Sequence, residues 1–118
     1  MARVRNLPLT PALQAKAEAM KKARGLKDLG FYQDLMGNPG LFEHVQALGT
    51  FLRFEATLPN LVREAAILMV AVELRSAFEW MTHREPRKKA GVSDALAEAI
   101  AMGTALEPEW ETIRTLVR

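Results

Sequence analysis

Glu64, Ser76, Glu79 and His83 are the residues of this chain whose types and spacing suit proton transfer. Glu79 and His83 lie four apart, so on a helix their side chains are surface neighbours. A carboxylate beside an imidazole fixes its tautomer and partners it when it takes up a proton. On helical geometry Ser76, Glu79, Trp80 and His83 fall within about 100° of arc, which puts a hydroxyl, a carboxylate, an indole and an imidazole on one face. The same spacing also describes a surface Glu–His pair worth a few tenths of a kcal/mol, and spacing alone favours that plainer reading. Trp80 reads as a core or interface residue more readily than as a substrate-pocket wall. Glu64 is the second feature. It lies one turn inside the most apolar segment of the chain, beside Ala65 to Val72. A carboxylate there is expected to be partly buried, a setting that favours the neutral acid unless a cation or a donor faces it. The competing reading makes Glu64 a first-turn residue that complements the helix dipole.

Composition removes several other chemistries. The chain has 118 residues and no cysteine, so disulfides, thiolate nucleophiles and cysteine metal sites are absent. The two histidines, His44 and His83, have no HExxH-type spacing, so no metal site and no cofactor are expected. His44 sits on an amphipathic stretch without a companion and reads as structural. Arg63 reads as a solvated residue at a helix start. The net charge of +2 is weak for a nucleic-acid binder. Basic residues gather at Lys16–Lys27 and at Arg84–Lys89, but Glu18, Asp28 and Glu85 dilute them, and solvated helix faces are the expected outcome. The longest uncharged apolar run, Ala65 to Val72, is far short of the ~20 residues a membrane span needs. The stretch from Met1 to Pro11 lacks an apolar core of signal-peptide length, which leaves the cytoplasm as the expected location.

The elements that must position these residues are all helical, since no segment alternates as a strand would. Length and composition fit a single all-α domain spanning residues 1–118. Thr10-Pro11 reads as the cap of a first helix running to Arg24, where Gly25 stops it. That helix is rich in alanine and is expected to pack loosely. A short helix follows, from about Leu29 to Met36, ended by Gly37-Asn38-Pro39-Gly40. The third, from Pro39 to about Phe51, carries Leu41, Phe42, Val45, Leu48, Phe51 and Leu52 as one apolar face. The fourth runs from Pro59 to about Leu74 and is apolar nearly all round, so it is expected at a bundle centre or under another subunit. The fifth spans about Arg75 to Glu85, with Phe78 in the core and a kink at Pro86. Ser93 caps a sixth ending at Gly103, and Glu107-Pro108 opens a seventh.

With these elements placed, a resemblance becomes visible. Leu58-Pro59-Asn60-Leu61-Val62-Arg63-Glu64-Ala65-Ala66-Ile67-Leu68 resembles the Pro-x-x-x-Arg-Glu helix of the carboxymuconolactone decarboxylase / alkylhydroperoxidase D family. Ser76 to His83 follows at that family's interval, and Ala90-Gly91-Val92-Ser93 resembles its turn into the next helix. The likeness covers roughly residues 30–117. It implies a compact oligomeric bundle of about six or seven helices of the alkylhydroperoxidase D-like type, with active sites near subunit contacts. In the alkylhydroperoxidase branch the pattern is a glutamate, then Cys-x-x-Cys, then a histidine four residues on. Carried over, Glu64 matches the glutamate and His83 the histidine, while Ser76 and Glu79 stand where the cysteines would be. Serine cannot form a sulfenic acid and glutamate cannot resolve one, so the usual thiol peroxidase route is closed.

What remains is an acid/base set of Glu64, Glu79, His83 and Ser76, with Trp80 beside it. Such a set suits decarboxylase- or isomerase-like, lyase-type chemistry on a small organic acid or carbonyl compound. The decarboxylase branch acts without redox cysteines, although its own histidine-rich pattern is missing from this chain. Two alternatives stand beside this expectation. One is a non-catalytic, homo-oligomeric binding protein of the same family. The other, weaker, is a peroxidase that borrows a partner's thiol.

Overall fold

The structure, a computed structural model, describes residues 8–118. The reading of the N-terminal stretch as free of a signal-type segment therefore lies largely outside the described residues. The described residues form eight helices and no strand. They are α1 (Pro11–Arg24), α2 (Phe31–Leu35), α3 (Pro39–Phe54), α4 (Asn60–Glu73), α5 (Ala77–Thr82), α6 (Arg84–Lys89), α7 (Asp94–Met102) and α8 (Pro108–Val117). The chain divides into two compact units, one ending at Ala56 and the other covering Thr57–Arg118.

The first unit is built on the spacing of α1. Leu13, Ala17 and Met20 recur at four- and three-residue steps and are buried with Met36 and Phe42. The expectation of loose packing for α1 is thus too weak. Thr10 caps it by accepting from the Leu13 backbone N–H at 3.3 Å, and Gly25 ends it in the left-handed region at φ 63°. Arg24 does not lie on a solvated face. Its guanidinium donates to the Tyr32 hydroxyl at 2.6 Å, the Gln46 carbonyl at 2.7 Å and the Thr50 hydroxyl at 2.8 Å. These bonds tie α1 to α2 and α3, and they need Gly49. A Cβ at Gly49 would stand 2.9 Å from the Tyr32 hydroxyl and 3.2 Å from an Arg24 nitrogen. The expected apolar face of α3 is only partly used: Phe42 is buried, whereas Leu41, Leu48, Phe51 and Leu52 are exposed.

The second unit is centred on α4, which packs against α5, α6, α7 and α8. That matches an apolar helix with few places for solvent. Ala65, Leu68 and Met69 form a core with Val92, Ala97 and Ile100, and Trp80, Trp110 and Ile113 close over it. Full burial of a side chain such as Leu68 stabilises by roughly 1.5–3 kcal/mol. The helix ends in a Schellman turn: Ser76 N–H donates to Ala71 and Arg75 N–H to Val72, with Arg75 left-handed at φ 52°.

The expected fifth helix breaks three residues before the anticipated kink. It ends at Thr82, and α6 begins at Arg84. Pro86 has no N–H for the Thr82 carbonyl, and its ring crowds that carbonyl, so the preceding helix must stop there. In α6 Pro86 falls in the first turn, where an N–H has no helical partner anyway. This split accounts for eight helices where six or seven are expected. Two further corrections concern side chains. Phe78, expected in the core, is 53% exposed. Arg87, expected on a solvated face, is buried and donates to the Val92 carbonyl at 3.2 Å and to Asp94 at 2.7 Å. The hydrogen bond and charge of Arg87 hold the Asp94 carboxyl below its ordinary value.

Candidate functional site

Two elements of the second unit supply the site. α4 carries Glu64 in its second turn, where the flanking Ala65 and Leu68 drag the carboxylate inward with the core face. Glu64 is 1% exposed and is the fifth residue of α4, past the first turn in which the dipole-complementing alternative puts it. His83 sits at the joint between α5 and α6, with φ −91° and ψ 5°. Its backbone N–H closes α5 on the Glu79 carbonyl at 3.0 Å, and its own carbonyl receives the Arg87 N–H at 3.0 Å. The joint created by Pro86 therefore fixes the imidazole at both ends of its backbone.

The side chains meet across 19 residues of sequence. His83 Nδ1 stands 2.7 Å from Glu64 Oε2 in a buried contact. Against an ionised carboxylate, which only accepts, Nδ1–H would be the donor, and in the neutral ring the lone pair would then lie on Nε2. Nε2 faces Glu79 Oε2 at 3.7 Å, too long for a hydrogen bond but close enough for charge attraction once the ring is protonated. The side-chain exposures grade outward, from 2% for Glu64 and 9% for His83 to 41% for Glu79. The arrangement runs from an enclosed acid, through an imidazole, to a carboxylate at the solvent edge.

Arg63 also joins the site, contrary to its reading as a solvated residue. Its side chain is 17% exposed, with Nη2 3.4 Å from Glu64 Oε1 and Nη1 donating to Asn60 at 2.8 Å. The cation beside the buried carboxylate offsets part of the cost of burying that charge. The adjacency Arg63-Glu64 was the only sequence signal for this contact. Ser76 is engaged differently. Its hydroxyl oxygen accepts from the Glu79 backbone N–H at 3.3 Å, which makes it the N-cap of α5. Trp80 is half-buried and packs against the core of the second unit. His44 is exposed on α3 and belongs to the other unit.

No protein-family model, curated protein or solved structure matches this chain. Among the described residues no group of three or more His, Asp or Glu side chains is disposed to hold a metal ion. No described helix is long and apolar enough to cross a membrane. What the geometry can do is hold a proton acceptor. Nε2 of an imidazole oriented from behind by a buried carboxylate can take a proton. The resulting imidazolium lies between two carboxylates, Glu64 and Glu79.

Proposed function

We propose that this chain performs acid/base chemistry on a small organic acid or carbonyl compound, with His83 as the proton-transferring group. Glu64 orients the imidazole and balances its charge, and Glu79 attracts the protonated ring at the solvent edge. The observation that carries this reading is the buried 2.7 Å contact between Glu64 Oε2 and His83 Nδ1. A carboxylate against Nδ1 favours the tautomer that leaves the Nε2 lone pair for a proton, which is the arrangement a proton acceptor requires. Ser76 and Trp80 are placed in the same set by sequence, Ser76 with a capping role besides and Trp80 as a half-buried wall.

The residue order from Pro59 to Ser93 supports a carboxymuconolactone decarboxylase / alkylhydroperoxidase D-like assignment, and through it decarboxylase- or isomerase-like, lyase-type turnover in a homo-oligomer. Leu74, Phe78 and Met81, all more than half exposed, are apolar surface that an oligomer would cover. Thiol peroxidase activity is not part of the proposal, because the chain contains no cysteine. One observation favours a second reading, a non-catalytic binding protein: Glu64, His83 and Glu79 face one another, and the imidazole is only 9% exposed.

A thermal-shift screen of small carboxylic acids, carbonyl compounds and quinones separates the two. Catalysis requires a compound that stabilises the wild-type protein and loses its effect in a folded His83→Ala variant. A screen with no hit on the wild type, followed by no turnover of any compound, removes the catalytic reading. Peroxide consumption is expected to be absent both with and without an added thiol protein. Consumption restored by the thiol protein would revive the borrowed-thiol alternative.

A further inference from the structure

The first unit contains a half-open cavity of about 600 Å³ between α1 and α3, with Ala19, Ala23 and Phe54 on its solvent-exposed side. Its volume lies in the range of small-molecule sites, roughly 300–1,000 Å³. Ala19, Met20 and Ala23 of α1 form one apolar wall, and Phe42 and Phe54 of α3 form the other. The other half of the lining is polar: Lys16, Arg24, Glu43, Gln46 and Thr50. Two of these cancel, because Lys16 pairs with Glu43, an interaction that also lowers the Glu43 carboxyl from its ordinary value.

Arg24 has no such counterpart. Among the described residues no carboxylate pairs with it, and its hydrogen bonds go to neutral oxygens of Tyr32, Gln46 and Thr50. A guanidinium has five N–H donors. Three of them are used by these bonds, and the buried Nε has no partner. Two cations against one carboxylate leave the lining at +1. The guanidinium stacks over the Tyr32 ring at 5.0 Å from its centroid, but no carboxylate balances this partly buried charge, and an anion beside it would lower the cost of its burial. Here the cavity beside it is the space available for that anion. Gly49 keeps the cluster in place, since any Cβ would crowd Tyr32 and Arg24.

We infer that the α1–α3 cavity binds an amphipathic monoanion, an apolar chain or ring carrying a single carboxylate, with Arg24 supplying the compensating charge. The apolar walls contact the body of the ligand, and Thr50 and Gln46 sit beside the guanidinium as polar neighbours. A neutral ligand of the same shape would leave Arg24 without an anion. A dianion would exceed the local charge. All the lining residues of the cavity belong to the first unit.

The test compares decanoate with decanol and decylamine, each below its aggregation threshold, by calorimetric titration of the full chain. Decanoate is expected to bind on the order of tenfold or more tighter than decanol, and decylamine weakest. Amide shift changes on decanoate addition should concentrate at Ala19, Ala23, Gln46 and Thr50. Arg24→Gln should remove the preference for decanoate over decanol. Because Arg24 also braces the first unit, Ala19→Phe provides a second variant that fills the cavity without touching those bonds. It should weaken decanoate by at least about tenfold. Equal binding of decanol and decanoate, shifts centred outside α1 and α3, or an Ala19→Phe variant that binds decanoate as the wild type does would each overturn the assignment.

Discussion

The Glu64–His83 contact concentrates the energetic stakes at one point, because a buried charge that loses its partner pays the full desolvation cost. Glu64→Gln keeps the shape of the side chain but removes the charge that draws on Nδ1–H. It is expected to lower unfolding free energy by about 1–3 kcal/mol in denaturant titration, and to shift the downfield imidazole proton in NMR spectra. A change below a few tenths would mean that the carboxylate is not bonded to the ring. Sequence made part of this geometry legible. The i, i+4 step placed Glu79 beside His83, and the apolar flank of Glu64 pointed to burial. The side-chain path of Arg63 was not legible, since adjacency on a helix turns neighbours about 100° apart and only the rotamer brings the guanidinium back. Arg24 was equally hidden, because its partners lie 8, 22 and 26 residues away. Arg87 gives a pH prediction. Its hydrogen bond and charge hold Asp94 below the ordinary value of 3.8, so the folded state binds a proton there less readily than the unfolded chain. The resulting stabilisation is present above about pH 4 and fades as pH falls through the depressed value. Thermal melts of wild type and Asp94→Asn should therefore differ at pH 6, and the difference should shrink as pH falls below about 4. A gap that does not change with pH would assign the effect to something other than this carboxylate.

Helix termini were read well where a side chain announces them and poorly where tertiary geometry decides. Thr10, Ser93, Gly25 and Gly103 all cap helices at the expected places. Pro86 was recognised as a breaker, but its effect falls four residues upstream, at the carbonyl its ring crowds, and not at the residue beside it. That displacement matters for the site, since it puts His83 at a joint instead of in the middle of a helix. Ser76 shows the opposite ambiguity: one residue type serves as nucleophile-like hydroxyl or as N-cap. A cap predicts a graded stability response. Ser76→Ala should cost about 1 kcal/mol and Ser76→Gly only a few tenths, both measured by denaturant unfolding. Any compound that stabilises the wild type should still bind both variants. If binding vanishes in Ser76→Ala while stability is unchanged, the hydroxyl acts on the ligand and not on α5.

Two separate cores, one in each unit, bear on how the whole molecule unfolds. The first is held by Leu13, Ala17, Met20, Met36 and Phe42, the second by Ala65, Leu68, Met69, Val92, Ala97 and Ile100. Composition and length pointed to one domain of 118 residues, and nothing in the apolar patterning of α3 or α4 marks a division near Ala56. The division is a property of which apolar faces meet, and that is decided by long-range packing that periodicity cannot express. Units of about 50–60 residues are individually marginal, with only a few kcal/mol of stability to lose. Phe42 is 1% exposed and meets Tyr32 edge-on, with ring centroids 6.5 Å apart. Phe42→Ala should therefore remove about 3–5 kcal/mol from the first unit, enough to unfold it. If each core supports its own unit, the amide signals of α1 and α3 collapse in that variant while the His83 imidazole proton and the protected amides of α4 persist. Hydrogen exchange followed by NMR reads both at once. Loss of protection in α4 together with α1 would mean that the second unit stands only with the first, and the Glu64–His83 geometry would then depend on the α1–α3 cavity as well.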